Sequence, residues 1–130
     1  MSKPSSALPG GLPLEPSPDE LRALLDAVRD RVVAHVASLP EQPAADVAGA
    51  ADLARSLAEA HPPEEPSGAG ELLDFLFDRA VPKSFNTAGP GYLAYIPGGG
   101  VVTSAVADLI SGVTNRYVGV WQAAPALVQL

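Results

Sequence analysis

The sequence lacks cysteine altogether, and among its 130 residues it has only two histidines and two lysines. Without cysteine there is no disulfide framework, no thiolate metal site and no cysteine nucleophile. His35 and His61 have no partner at metal-ligand spacing, so we expect two surface histidines and no metal site. No run of about 18 apolar residues occurs, and the first 18 residues do not resemble a signal peptide. We therefore expect a soluble, cytoplasmic protein.

Positive charge is also scarce. Eight Lys and Arg residues face fifteen Asp and Glu residues, which gives a net charge of -7. Phosphate-rich surfaces repel such a chain, so nucleic acid and anionic membranes are not expected as partners. The length suits one modest core. The hydrophobic content of 47% is high for so short a chain, and some of its apolar surface is expected to meet another chain or domain.

The N-terminal third divides into a proline-rich leader and a helix. Prolines recur throughout residues 1–16, which predicts a flexible leader. Ser17-Pro18-Asp19-Glu20 is a capping-box pattern with proline at the first helical position and acids at the positive end of the helix dipole. Apolar residues then recur at helical spacing, which predicts an amphipathic helix to about Ser38. They are Leu21, Leu24, Leu25, Val28, Val32, Val33 and Val36.

Further helices are predicted by apolar spacing and by the position of proline and glycine. They cover residues 45–59, where Gly49 weakens the pattern, then 69–80 and 101–114, with a fifth beginning at Ala124-Pro125. Proline and glycine predict a linker at 61–68 and loops at 86–91 and 97–100, and short extended pieces are expected at 92–96 and 117–121. The residues alone thus predict a mainly α protein with an irregular, glycine-rich C-terminal third.

Three stretches near the C-terminus carry a family resemblance. They are Asn86-Thr87 with Gly91-Tyr92-Leu93-Ala94-Tyr95-Ile96-Pro97, then Ala105-Val106-Ala107-Asp108-Leu109-Ile110, then Trp121-Gln122-Ala123-Ala124-Pro125-Ala126-Leu127. In order and spacing this block resembles the group II pyridoxal-phosphate-dependent amino-acid decarboxylases, and the resemblance extends over most of residues 17–130. It implies the N-terminal helical segment of a fold type I enzyme, whose full-length relatives are α/β.

The resemblance also implies roles for six residues. Tyr95, Ile96, Pro97 and Gly98 stand where the family lines the pocket for the amino-acid side chain, and Tyr117 and Gly119 stand where relatives reach into the partner subunit's site. Relatives often carry larger apolar groups at the position of Gly119, which implies a roomier or differently shaped pocket. Thr87 replaces an aromatic residue of some aromatic-amino-acid members, which puts an aromatic substrate in doubt.

The same residues have plainer interpretations. Gly98-Gly99-Gly100 before a helix could cradle a phosphate, but the glycines lack the spacing of a nucleotide fingerprint and a flexible turn is expected. Trp121 is expected to pack in a core. Asp108 is expected on a helix face, and Asn115 and Arg116 at the end of that helix.

Decarboxylation by pyridoxal phosphate needs a lysine that holds the cofactor and an acid that keeps its ring nitrogen protonated. Lys3 and Lys83 are the only lysines, neither follows histidine as the family's cofactor lysine does, and no βαβ pattern is present. We therefore expect no catalytic or cofactor-binding residue in this chain.

The organisation that follows is a leader at 1–16, amphipathic helices at 17–81, and a pocket and dimer-interface segment at 82–130 that leads into a missing cofactor domain. The expected function is that of the N-terminal part of an amino-acid carboxy-lyase that is truncated and not competent alone. Relatives imply a homodimer with interlocked N-terminal helices. The alternative is a non-catalytic dimerisation or binding module that pairs with a full-length decarboxylase, or a product without function.

Overall fold

The computed structural model describes residues 14–61, 63–93 and 96–129. The chain forms two compact units, Met1–Pro97 and Gly98–Leu130. Residues 1–13 of the leader predicted at 1–16 lie outside the described residues. Tyr95 also lies outside them.

Helices make up most of the regular structure. The α-helices are α1 Pro18–Ser38, α2 Ala50–Ser56, α3 Ala69–Phe75, α4 Val102–Thr114 and α5 Pro125–Gln129. A π-helical turn covers Leu76–Ala80, and 3-10 turns cover Leu39–Glu41, Val81–Lys83 and Trp121–Ala123. Across the described ranges there is no β-strand, only an isolated antiparallel bridge between Ala45 and Phe85. The prediction of a mainly α chain is confirmed.

The start of α1 follows from its first residues. The Ser17 backbone N–H donates to Glu20 Oε2 at 2.8 Å, and the Glu20 backbone N–H donates to Ser17 Oγ at 3.3 Å. These reciprocal bonds form the predicted capping box, with Pro18 at the first helical position. The hydroxyl and backbone N–H of Ser17 lower the pKa of Glu20 below its usual value. Because both bonds lie within one turn, this helix end is specified locally.

The helix predicted at 45–59 is shorter in the structure, and its first five residues are not helical. The backbone there pairs with a distant segment: Asn86 N–H donates to Ala44 O at 2.9 Å, and Asp46 N–H donates to Ser84 O at 3.4 Å. Gly49 then adopts a left-handed φ of 75°, which glycine tolerates, and α2 begins at Ala50. The weak apolar face of 45–59 was overridden by pairing that no local pattern signals.

The third helix matches its predicted extent, but its last turn is π-helical and leads into a 3-10 turn that contains Pro82. Proline has no N–H to continue the helical ladder. The linker before α3 is non-helical and exposed over its described residues 61 and 63–67, as predicted.

Little apolar surface is buried within either unit. Among the described residues, Ala69 is the one buried apolar side chain, 8% exposed. Three of the seven apolar residues on the α1 face are half-buried. The other four are exposed, as are one leucine of α3 and one of the π turn that follows it. They are Leu25, Val32, Val33, Val36, Leu72 and Leu76. The amphipathic patterns of α1, α3 and α4 therefore predict helices correctly but do not predict their burial among the described residues.

The second unit consists of α4, an irregular connection and α5. α4 occupies the predicted range, and Asn115 ends it in a left-handed conformation with φ 39°. Its backbone N–H donates to Ser111 O at 3.0 Å, so the expected helix end is confirmed. The whole apolar face of α4 is exposed.

Two details of this unit differ from expectation. Trp121 is 60% exposed, so the prediction that it packs in a core is wrong for this structure. It also begins a 3-10 turn instead of ending an extended piece, although Val120 before it is extended. α5 begins at Pro125, as the sequence predicted.

Within the described part of the chain, no helix has both the length and the apolar character needed to cross a bilayer.

Candidate functional site

The residues implied as substrate-binding fall in both units. Ile96 and Pro97 end the first unit, whereas Gly98, Tyr117 and Gly119 belong to the second. Ile96 is fully exposed, and a side-chain carbon placed on Gly98 would have no heavy atom within 4 Å. These residues lie on open surface. The structure describes a close arrangement for one pair of them, Tyr117 and Gly119.

The Tyr117 ring lies directly over the α-carbon of Gly119. A Cβ at position 119 would lie 2.5 Å from Cζ and 2.7 Å from Cε2 of Tyr117, and would also contact its Oη. Real Cβ atoms do not approach other heavy atoms this closely, so any side chain at 119 would displace the ring. The absence of a side chain at Gly119 therefore does not leave an empty space, because the phenol ring occupies it.

A second candidate site, which the sequence did not predict, is a groove in the first unit. It has a volume of about 560 Å³ and is bordered by α1, the segment before α2, and the turns after α3. Its lining includes Arg31, His35, Ser38, Gln42, Phe77 and Asn86. Residues so far apart in sequence share no motif, and two sets of contacts bring them together: the pairing of segment 44–46 with 84–86, and the contacts of α1 with α3 and its π turn.

Gln42 is the centre of the hydrogen bonds in this groove. Its Nε2 donates to Ser38 Oγ at 2.7 Å and lies 3.5 Å from His35 Nδ1, while its Oε1 accepts from Asn86 Nδ2 at 3.2 Å. The His35 ring meets Phe77 edge-on, with 6.0 Å between centroids. His35 is therefore half-buried and packed, which corrects its prediction as a surface histidine. His61 is exposed, as expected.

The charged groups at the groove are paired with one another. Arg31 of α1 donates to Asp78 at 3.0 Å and also contacts Asp74, which joins α1 to α3 and its π turn. Lys83 Nζ donates to Asp46 Oδ2 at 2.8 Å, and this bond lowers the pKa of Asp46.

With its charges paired, the groove presents amide, hydroxyl, imidazole and aromatic groups. The Ser38 hydroxyl donates to the backbone carbonyl of His35 and accepts from Gln42, whereas an activated nucleophile donates to a basic side chain.

The described residues do not fit a metal or pyridoxal phosphate. No three His, Asp or Glu side chains in the described ranges lie close enough together to hold a metal ion. Lys83 is the one lysine in those ranges, and its Nζ donates a hydrogen bond to Asp46. Imine formation with the cofactor requires a neutral amine instead. Asp108 is exposed on α4, in the unit that lacks a lysine. No cofactor chemistry is therefore assigned to these residues.

Comparison of this chain with models of protein families, with curated proteins and with solved structures finds no match.

Proposed function

We propose that this chain is the N-terminal, substrate-facing part of a cytoplasmic pyridoxal-phosphate-dependent decarboxylase that acts on an amino acid. The observation that carries the proposal is the ordered series of motifs from Gly91–Pro97 through Ala105–Ile110 to Trp121–Leu127. Three motifs in the same order and spacing are a more specific signal than any one of them. In this proposal the chain supplies pocket residues, and the remainder of the enzyme supplies the lysine and the cofactor site.

The exposed apolar surface of the second unit supports this proposal. Val106, Ile110 and Val113 on α4 are each more than half exposed, and Trp121 follows them in the same state. An isolated soluble domain rarely leaves so many large apolar side chains in water, because burying each would contribute about 1.5–3 kcal/mol. A catalytic domain and a partner subunit packed against this surface would remove it from water.

The first unit supports the dimeric part of the proposal in the same way. Leu25, Val32, Val33 and Val36 of α1 follow helical spacing, yet they are exposed. A face of this kind is suited to a helix of another chain. We propose that the N-terminal helices interlock in a homodimer and that the substrate is an amino acid bound near Ile96 and Pro97 of one chain and Tyr117 and Gly119 of the other.

Carbon dioxide release from the natural polypeptide tests the proposal. An antibody to residues 41–59 would capture that polypeptide from its own cells, and its intact mass would be recorded. The captured protein, supplied with pyridoxal phosphate, would then be assayed for CO2 release from each amino acid. We expect a mass several times 13.3 kDa and release of CO2 from a narrow set of amino acids. A captured protein of larger mass that binds the cofactor but decarboxylates no amino acid would contradict the proposal.

The exposed face of α4 also favours a second function, a non-catalytic dimerisation or binding module that pairs with a full-length decarboxylase. This alternative predicts a captured polypeptide of 13.3 kDa that elutes together with a larger partner. Light scattering of the purified 130-residue chain would complement the capture, since a module of this kind should form a defined complex and not a range of aggregates.

A further inference from the structure

The hydrogen bonds of the groove determine which nitrogen of His35 carries its proton. The Ser38 hydroxyl donates to the His35 backbone carbonyl at 2.9 Å, so Ser38 Oγ can only accept from its other neighbour. That neighbour is Gln42 Nε2 at 2.7 Å, which is therefore the donor. Since an amide NH2 group accepts no hydrogen bond, His35 Nδ1, at 3.5 Å from the same nitrogen, has to be an acceptor. His35 is therefore neutral in this arrangement, with its ring proton on Nε2.

The carbonyl oxygen of the Gln42 side chain binds Asn86. Gln42 Oε1 accepts from Asn86 Nδ2 at 3.2 Å, across 44 positions of sequence. The Asn86 side chain lies on the α-carbon of Gly89, where a Cβ would be 2.5 Å from Nδ2 and 2.9 Å from Cγ. Gly89 is buried, and its backbone N–H donates to Asn86 O at 3.1 Å. One series of contacts thus connects α1 through Gln42 to the turn at 86–91.

A protonated His35 is incompatible with this series of contacts. An imidazolium ion donates from both nitrogens, so its Nδ1–H would face the Gln42 NH2 group, one donor against another. Turning the carboxamide over would present Oε1 to His35, but it would also bring the NH2 group to Asn86 Nδ2, which is a donor as well. Unpaired donors in a half-buried groove are unfavourable. Asn86 therefore has to turn or move away when His35 gains a proton.

We propose that His35 is a pH-sensitive switch: its neutral form binds Asn86 through Gln42, and its protonated form releases Asn86 from Gln42. The switch goes beyond the proposed function and does not depend on it. Histidine ordinarily changes its charge between pH 5 and 8, and the Gln42 carboxamide supplies the two alternative arrangements that a switch needs. All three side chains line the groove, so the switch changes the wall of the groove.

The charged groups at the groove can accommodate the imidazolium. Arg31, one turn before His35 on α1, is paired with two carboxylates of α3 and its π turn, and a carboxylate before α2 is paired with a lysine of the turn after α3. Three carboxylates therefore stand against two cations, and a positive charge on His35 would complete the balance. The five groups are Arg31, Asp46, Asp74, Asp78 and Lys83.

Side-chain NMR of the native 130-residue chain tests the switch between pH 8 and about pH 5.5, where carboxyl groups remain largely ionised. We expect the side-chain NH2 resonances of Gln42 and Asn86 to move with the same midpoint as the ring resonances of His35. His35→Phe should make both amide resonances independent of pH. His61→Phe is the matched control, because His61 is the other histidine and lies exposed in the linker, and it should leave both responses unchanged.

Two further variants interrupt the series of contacts at different points. Gln42→Met keeps the length of the side chain without its amide, so the His35 ring should still titrate and Asn86 should no longer respond. Gly89→Ala places a Cβ against the Asn86 amide and displaces it. In that variant Gln42 should still respond to His35, and Asn86 should not.

Several outcomes would overturn the inference. Amide resonances of Gln42 and Asn86 that stay constant while the His35 ring titrates would do so, as would an Asn86 response that survives Gln42→Met. Side-chain amides that resemble free amides at both pH values, or a His35 ring that does not titrate in this range, would also overturn it. Circular dichroism is recorded alongside: the switch predicts the same helix content at both pH values, and a general loss of helix at the lower pH would contradict it.

Discussion

Lys83 donates a hydrogen bond from its Nζ to Oδ2 of Asp46 at 2.8 Å, across 37 positions of sequence. The bond ties the turn that follows α3 to the segment that precedes α2. Beside it, the backbone of Ala45 bridges that of Phe85. Lys83, the described lysine that could be considered for an imine with the cofactor, therefore has a structural role: it joins two segments that are distant in sequence.

We predict that the 130-residue chain mixed with pyridoxal phosphate will form no imine that resists dialysis. An imine at Lys83 would require a neutral amine and the loss of its bond to Asp46. The absorption band of a protein-bound imine, recorded after dialysis, is the measurement. Lys83→Arg is the matched variant, since arginine can keep the ion pair but forms no imine. A stable band in the native chain would contradict the prediction, and its loss in Lys83→Arg would assign the imine to Lys83.

Arg31 contacts two carboxylates of another helical segment. We therefore predict that replacing Arg31 lowers the free energy of unfolding more than breaking an ion pair within one helix does. Arg31→Gln should lower the free energy of unfolding by about 1 kcal/mol, because it disconnects α1 from both Asp74 and Asp78. Arg22→Gln is the control: its pair with Asp19 lies within α1 and is more exposed, so the loss should stay below about 0.5 kcal/mol. Urea denaturation followed by circular dichroism compares the two, and equal effects would contradict the structure.

The capping box predicts that α1 is sensitive to substitution of its N-cap residue, Ser17. Ser17→Ala removes the acceptor for the Glu20 backbone N–H and should cost about 1 kcal/mol of stability. Ser56→Ala is the control, since Ser56 only donates to the Leu53 carbonyl near the end of α2. Thermal unfolding and helix content measure the difference. A Ser17→Ala chain as stable as Ser56→Ala would show that α1 does not depend on its cap.

Stability is predicted to fall in acid because two carboxyl groups have lowered pKa values. Ser17 lowers the pKa of Glu20 below its ordinary 4.5, and Lys83 lowers that of Asp46 below its ordinary 3.8. The unfolded chain therefore binds protons more readily than the folded one. The contribution of each group is complete above its unfolded pKa and is lost as the pH falls through the lower, folded value.

Thermal unfolding between pH 6 and pH 2 measures this loss. The midpoint should decrease as the pH falls below about 4.5, and the Glu20→Gln and Asp46→Asn variants should each show a shallower decrease. Glu59→Gln is a control with the same change of charge near the linker. If Glu59→Gln flattened the profile as much as the other two, net charge and not these contacts would explain the acid sensitivity.

Much of the secondary structure could be predicted because its causes are local. Ser17 and Glu20 are three positions apart, and Asn115 ends α4 through a bond to Ser111 four positions before it. Proline and glycine likewise specify the linker and the turns at 86–91. Each of these signals acts within about one helical turn, so neighbouring residues alone determine it.

The candidate sites were less predictable, because they depend on contacts that the sequence pattern does not encode. The groove at Gln42 depends on the pairing of segment 44–46 with 84–86 and on the contacts of Arg31 and His35 with Asp78 and Phe77. The same pairing shortened the helix predicted at 45–59. The fold of Tyr117 over Gly119 is close in sequence, but it depends on a side-chain rotation that spacing does not specify.

The sequence by itself determined the helical class, the cap of α1, the helix end at Asn115 and the net charge. These properties follow from local hydrogen bonds and from composition. Only the tertiary structure decided that His35 packs on Phe77, that Lys83 is bound to Asp46 and that Trp121 stays exposed. An amphipathic pattern shows that a face is apolar, but burial depends on which other surface covers it, and that surface lies many residues away or in another chain.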